Sequence, residues 1–303
     1  MIDRSDARCW SAAVAPALLV LLSGCPDWDA LSSAGASCAS PAAVTLTPGQ
    51  KTTVTGDTST AVNEFGASIT CIDKLGPLGP FAGPQLYYKL SLSGGKTYRV
   101  ELSTPKWDGA IYLFTDTTCQ VATIESQCAN LASDSGAAGD LEALIVSPTA
   151  DTTYILAVDS TSATDSGAFI VTIKEGTSPE NDVCTAAAPL SLGATVSGDT
   201  TFAKDDVTTT ACLGDTPGND VFYRVTLNPG KTYTVTLTSP ASFDAAVYAF
   251  TSCATPDTTC VGGADDNAGA ETFKITPSAT TDYWIAVDSF DTLASGSFTL
   301  TVQ

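Results

Sequence analysis

The chain has 303 residues, with 13 lysines and arginines against 33 aspartates and glutamates, a formal net charge of −20, and no histidine. That balance leaves no basic patch for nucleic acid or for anionic lipid headgroups. The missing imidazole excludes Ser-His-Asp and Cys-His catalysis and histidine-ligated zinc in their usual forms.

Residues 1–24 carry Arg4 and Arg8, then an apolar run from Ala12 to Leu22, then Leu22-Ser23-Gly24-Cys25. A charged start, a short apolar core and small residues before a cut site describe a secretory signal. The apolar run is shorter than the roughly 20 residues a spanning helix needs. The Leu-Ser-Gly-Cys ending resembles the lipobox of bacterial lipoproteins, which implies a lipid on Cys25 and attachment to a membrane through it. Residues 25–37 then read as a short lipidated tether.

The remainder is a duplication. In the first copy Gly94-Gly95-Lys96 leads into Tyr98, Val100 and Leu102 alternating with Thr97, Arg99 and Glu101. In the second, Pro229-Gly230-Lys231 leads into Tyr233, Val235 and Leu237 alternating with threonines. That period of two belongs to a strand buried on one face. Gly56-Asp57-Thr58 recurs as Gly198-Asp199-Thr200, Asp108 as Asp244, Tyr154 as Tyr283 and Gly167 as Gly296. The changing offsets place insertions of copy one in turn-rich segments, one of them between Cys119 and Leu144. Helices should be scarce, because no segment sustains a 3.6-residue period. The expected fold is all-β, two tandem β-sandwiches spanning 38–174 and 181–303, joined by a linker at 175–180.

Ten cysteines sort by the repeat. Cys9 leaves with the signal, Cys25 takes lipid, and four remain in each copy. Four cysteines allow three connectivities; local spacing favours Cys38–Cys71, Cys119–Cys128, Cys184–Cys212 and Cys253–Cys260. Such bonds imply an oxidising compartment.

Asn219-Asp220-Val221-Phe222-Tyr223-Arg224-Val225, Pro229-Gly230-Lys231, Asp244, Tyr283 and Gly296-Ser297-Phe298-Thr299-Leu300 resemble the bacterial pre-peptidase C-terminal domain. The resemblance covers both copies and implies a compact jelly-roll-like sandwich carried by exported proteins. Copy one departs from it, with Gln85 where copy two has Asp220. Nothing outside the copies resembles a peptidase, so the family's place beside an enzyme does not carry over.

Two sets of residues invite a ligand. Trp107-Asp108 and Phe243-Asp244 pair a carboxylate with an aromatic ring, a combination suited to sugars; the competing expectation is a turn carboxylate beside a packed ring. Asp159 and Asp288, at strand ends, face the same choice. Glu180, Asn181, Asp182, Asp199, Asp205 and Asp206 are dense in oxygen, and calcium takes six to eight oxygen ligands. Family members that bind collagen close a calcium site with acidic linker residues, and these residues resemble that arrangement. A solvated acidic loop is the alternative. Asp265-Asp266-Asn267, partly matched by Asp134-Ser135, is a weaker set. No paired carboxylates fall in a recognisable pocket pattern and no phosphate loop opens a helix. The expectation is a non-catalytic, lipid-anchored binding protein of the bacterial cell envelope, periplasmic or at the cell surface, that recognises a protein or polysaccharide. A structural spacer or surface-coat component is the alternative.

Overall fold

The computed structural model describes residues 35–72, 76–134, 137–266, 270–290 and 294–303. The signal segment and Cys25 lie outside them. Copy one contributes β1 (Ala42–Val44), β2 (Thr52–Asp57), β3 (Ile69–Ile72), β4 (Pro77–Phe81), β5 (Leu86–Leu92), β6 (Thr97–Ser103) and β7 (Ala110–Phe114). A short helix, α1 (Val121–Gln127), follows, then β8 (Ala132–Ser133), β9 (Leu141–Val146), β10 (Thr152–Asp159) and β11 (Ala168–Gly176). Copy two contributes β12 (Ala188–Pro189), β13 (Thr195–Asp199), β14 (Thr209–Thr210), β15 (Gly214–Asp215), β16 (Val221–Leu227) and β17 (Tyr233–Thr238). It closes with β18 (Ala245–Phe250), β19 (Cys260–Ala264), β20 (Ala270–Ile275), β21 (Thr281–Ser289) and β22 (Ser297–Val302).

Each copy is a β-sandwich of one five-stranded and one four-stranded sheet. The orders are β1-β5-β10-β7-β8 and β2-β11-β6-β9 in copy one, and β12-β16-β21-β18-β19 and β13-β22-β17-β20 in copy two. Corresponding strands take the same place, so the duplication extends to topology. The alternating residues do what their period requires. Val100, Leu102, Val171 and Ile173 meet Leu90, Leu113 and Leu156 between the sheets of copy one. Val235, Leu237, Leu300 and Val302 meet Val225, Val247 and Ile285 in copy two.

A second apolar layer lies on the other face of each five-stranded sheet. Tyr87, Tyr112, Phe114 and Ile155 pack there under Phe81, Ile124, Cys38, Cys71 and Cys128. Phe222, Tyr248, Phe250 and Ala286 pack under Val207, with Cys184, Leu213, Cys253 and Cys260 beside them. A strand covered on both sides loses its alternation. Every residue of β7 and of β18 is buried.

All eight cysteines are bonded, but the partners differ from those the spacing favours. The bonds are Cys38–Cys119, Cys71–Cys128, Cys184–Cys253 and Cys212–Cys260. In each copy the first cysteine joins the third and the second joins the fourth. Short separation is not what decides the pairing. The covering segments are: the chain before β1 or β12, and the β3–β4 or β14–β15 hairpin. Each is pinned to the connection that leaves β7 or β18. The separations are 81, 57, 69 and 48 residues. Loops of that size raise the loop-entropy contribution to about 4–4.5 kcal/mol per bond.

The linker is also shorter than expected. β11 runs on through Gly176, with Glu175 opposite Tyr98 and Gly176 opposite Thr97. Residues 175 and 176 therefore belong to the sheet of copy one. The insertion between Cys119 and Leu144 holds α1, whose Ile124 is buried against the outer layer.

Candidate functional site

The recurring Gly-Asp-Thr lies at the end of β2 and of β13, and its three residues have separate structural tasks. A Cβ on Gly56 would stand 2.3 Å from the Phe169 ring and 2.6 Å from the Tyr88 hydroxyl; one on Gly198 would meet Phe298 and Tyr223 at the same distances. Asp57 accepts the Ser59 N–H at 2.8 Å, and Asp199 accepts the Thr201 N–H at 2.8 Å. Thr58 exchanges two bonds with Gly167, and Thr200 two with Gly296. This tie fastens the start of each copy to its last strand.

Asp199 is thus engaged in a turn, and Asn181 and Asp182 of the expected calcium set are engaged with backbone. Asn181 accepts the Phe222 N–H through its carbonyl and donates its side-chain amide to the Phe222 carbonyl at 3.0 Å, docking the inter-copy segment on β16. Asp182 accepts the Lys204 N–H at 2.7 Å. Among the described residues no three Asp, Glu, Cys or His side chains gather as a metal site. Glu180, Asn181, Asp182, Asp199, Asp205 and Asp206 therefore do not form the calcium cage the sequence suggests. For Asn181, Asp182 and Asp199, the bonds their side chains make to backbone explain why such residues are there.

The aromatic platforms are absent for a similar reason. Trp107 is buried in the core and donates its indole N–H to the Ala168 carbonyl at 3.1 Å. Phe243 is buried in the core of copy two. A ring enclosed by two sheets offers no face to a sugar, so Trp107 and Phe243 are packing residues. The preceding strand ends lock this corner, through Thr104 Oγ1 to the Trp107 carbonyl at 2.7 Å and Ser239 Oγ to the Phe243 carbonyl at 2.8 Å.

The carboxylates beside those rings do recur in a group. Asp108 is half-buried and raised by its burial, then by Asp165 and Asp140. Asp134 is pushed up to about 6 by burial, Glu142 and Asp108. In copy two, burial, Asp244 and Asp266 raise Asp265. Burial, with Asp266, Asp265 and Asp244, likewise raises Glu271. Glu142 takes the Ser133 hydroxyl at 2.6 Å, and Glu271 takes the Asp266 N–H at 2.6 Å. Glu142 and Glu271 escaped the sequence reading. Their offset equals that of Tyr154 and Tyr283, and it is the signal that would have found them. Asn267 and Ser135 lie outside the described residues.

A second recurring pair of acids is wholly enclosed. Asp159 accepts the Ser160 N–H at 2.7 Å and the Tyr112 hydroxyl at 3.1 Å. Asp288 accepts the Ser289 N–H at 2.7 Å and the Tyr248 hydroxyl at 2.8 Å. Burial pushes Asp159 up to about 7, against the pull of these bonds and of Gln85. These are strand-end carboxylates under the outer layer, remote from solvent.

The outer faces of the four-stranded sheets differ between the copies. Arg99, only 4% exposed, donates to Glu101 at 2.8 Å, and Lys174 reaches the same oxygen at 2.9 Å. Burial raises Glu101, but the bonds from Lys174 and Arg99 outweigh it and hold the carboxyl below its usual range. In copy two the register sets Thr195, Thr301, Thr236 and Thr272 side by side across four strands.

No protein-family model matches the chain, and no curated protein matches it. Among solved structures, it is similar to the pre-peptidase C-terminal domain of collagenase from Bacillus anthracis, at 13% identity and a TM-score of 0.29, over 39% of this chain and 94% of that one. It is similar to PliG, a periplasmic inhibitor of g-type lysozyme from Aeromonas hydrophila, at 17% identity and 0.27, over 39% and 96%. It is also similar to the CBM22-1–CBM22-2 tandem of Xyn10C from Paenibacillus barcinonensis, at 10% identity and 0.25, over 84% and 94%. Likeness at this level transfers no ligand or activity. Among the described residues no helix is long and apolar enough to cross a membrane. Four disulfides suit an extracytoplasmic protein.

Proposed function

We propose that this is a non-catalytic binding protein of the cell envelope, held to a membrane by lipid on Cys25, with two domains of the pre-peptidase C-terminal kind. The observation that carries the binding reading is the threonine row on copy two. Thr195, Thr301, Thr236 and Thr272 form an uncharged strip in a chain of net charge −20. Hydroxyls on a rigid sheet donate and accept hydrogen bonds without the repulsion that this charge imposes on an acidic polysaccharide or protein. Neighbouring Thr195 and Thr301 hydroxyls lie 2.9 Å apart, so the strip is pre-ordered. Backbone N–H groups held by Asp57, Asp182 and Asp199 support reading those carboxylates as turn residues and not as catalytic ones.

One observation favours the spacer instead. The rings expected to hold a sugar, Trp107 and Phe243, are inside the cores. Capture of envelope proteins and glycans by the soluble 26–303 fragment separates the two readings. Specific capture that is lost in a Thr236→Glu, Thr301→Glu variant supports binding through the strip. Capture of nothing supports the spacer. Fatty-acid labelling of the wild type but not of Cys25→Ser tests the anchor separately.

A further inference from the structure

Residues directly opposite in an antiparallel pair point to the same face, with Cβ atoms about 4.5–5.5 Å apart. In copy two Val221 stands opposite Val287, which sets Asp220 across from Asp288, on the covered outer face with Phe222 and Ala286. Both aspartates are wholly buried. Asp220 Oδ2 accepts the N–H groups of Asp206 at 3.0 Å and Val207 at 2.8 Å, and its own N–H donates to the Lys204 carbonyl at 3.0 Å. Asp288 is bonded to Ser289 and Tyr248. Asp220 Oδ1 is buried without a hydrogen-bond partner.

Two ionised carboxylates facing each other in a dry layer repel, and an oxygen there without a donor is costly. One proton between them removes both difficulties. Copy one solves the same problem differently. Leu86 opposite Val158 sets Gln85 across from Asp159, and the Gln85 side chain hydrogen-bonds that carboxylate. The amide gives Asp159 a donor where copy two sets a second carboxylate.

We propose that Asp220 and Asp288 hold one proton between them, and that this proton latches loop 204–207 onto the outer face of copy two. Loss of the proton releases the loop, and with it the grip of the Lys204 N–H on Asp182 in the inter-copy segment. The groups facing the pair are Asp205 and Asp206 from the loop, the Tyr248 phenol from β18 and the Thr216 hydroxyl. Burial first, then Asp288 and Asp206, raises Asp220. Burial and Asp205 raise Asp288.

The sign follows from linkage. In the opened loop both carboxylates are solvated and ionised above about pH 4, whereas the latched pair keeps its proton to higher pH. Opening therefore releases one proton. The opening constant rises about tenfold per pH unit between those limits, then levels once the latched pair has ionised.

The test is amide hydrogen exchange of the full chain from pH 5 to 9, corrected for the intrinsic exchange rate. Protection at Asp206 and Val207 should fall with that slope in the wild type. In the double variant Asp220→Asn, Asp288→Asn, which removes both titrating groups, it should stay flat. Carboxyl carbon NMR of the unaltered chain should show Asp220 and Asp288 titrating together, with one proton retained well above the ordinary aspartate range. Flat protection in the wild type, or two carboxylates ionised at pH 5, would overturn the proposal. So would a loss of protection on adding a chelator, which would mean that a cation and not a proton bridges the pair.

Discussion

Copy one and copy two lay matching strands over matching cores, yet they close the outer face of the five-stranded sheet with different material. Copy one uses the β3–β4 hairpin and α1, and settles its buried Asp159 with Gln85. Copy two uses the smaller β14–β15 hairpin and loop 204–207, and sets Asp220 against Asp288. The four-stranded faces diverge too, one carrying Arg99, Glu101 and Lys174, the other threonines. Positions between the sheets are held by packing, where a change of volume is felt at once. On the cover the disulfide pairing recurs, while the segments it pins differ between the copies.

The largest way to break this parallel is to remove the staples. Replacing Cys71 and Cys128 with serine should cost copy one about 4 kcal/mol in denaturant unfolding, and replacing Cys212 and Cys260 should cost copy two a similar amount. Loss of both bonds of one copy should cost nearly twice that. If copy two alone tolerates the loss, its cover does not depend on the bond, and the copies differ in more than decoration.

The core rings should also behave alike. Trp107→Ala and Phe243→Ala should each destabilise by about 3–5 kcal/mol, as large-to-small changes in a packed interior do. A loss under 1 kcal/mol at either position would return that ring to the surface and to ligand binding.

Acid and alkali sharpen the comparison further. Asp159 has its pKa raised to about 7, so its contribution is fully present below about pH 4 and is lost as pH rises through 7. Asp159→Asn should abolish that decline in copy one, measured by exchange of the amides of β5 and β10. Glu101 has the opposite sign. Its lowered pKa means a contribution present above the usual glutamate range and lost as pH falls through the depressed value. Glu101→Thr, which gives copy one the residue of copy two, should cost about 1 kcal/mol near neutrality and less in strong salt. The smallest expected effect is that of calcium. Millimolar calcium and chelator should give the full chain the same melting curve, and a rise with calcium would restore a site to copy two.

The strands and the duplication were legible in the residues because period-two burial and turn chemistry are written locally. Tyr98, Val100 and Leu102 announce their face without reference to the rest of the chain. The second face of the five-stranded sheet is not announced in this way. β7 reads as a plain apolar run, Ala110-Ile111-Tyr112-Leu113-Phe114, which fits any buried segment. Nothing in that run says what covers it, so nearness is the only guide to pairing the cysteines of the cover, and all four bonds depart from it. The carboxylates were legible as residue types only. Whether Asp199 holds a cation or a turn depends on Thr201 N–H lying 2.8 Å away. Gln85 was noted as a departure, and its meaning appears only once β5 and β10 set it opposite Asp159.

The interleaved bonds have a consequence for biogenesis. A chain exported from its N-terminus presents Cys38 and Cys71 to the oxidant well before Cys119 and Cys128. An oxidase that joins thiols as they emerge would make Cys38–Cys71, then Cys119–Cys128, and neither is a native bond. The same holds for Cys184, Cys212, Cys253 and Cys260. Under such an oxidase each copy reaches its native bonds only through thiol–disulfide exchange, which needs an attacking thiolate and is slow without a catalyst. Maturation of this protein should depend on an isomerase that proofreads bonds, and a cell with only an oxidase should accumulate copies locked in the wrong order.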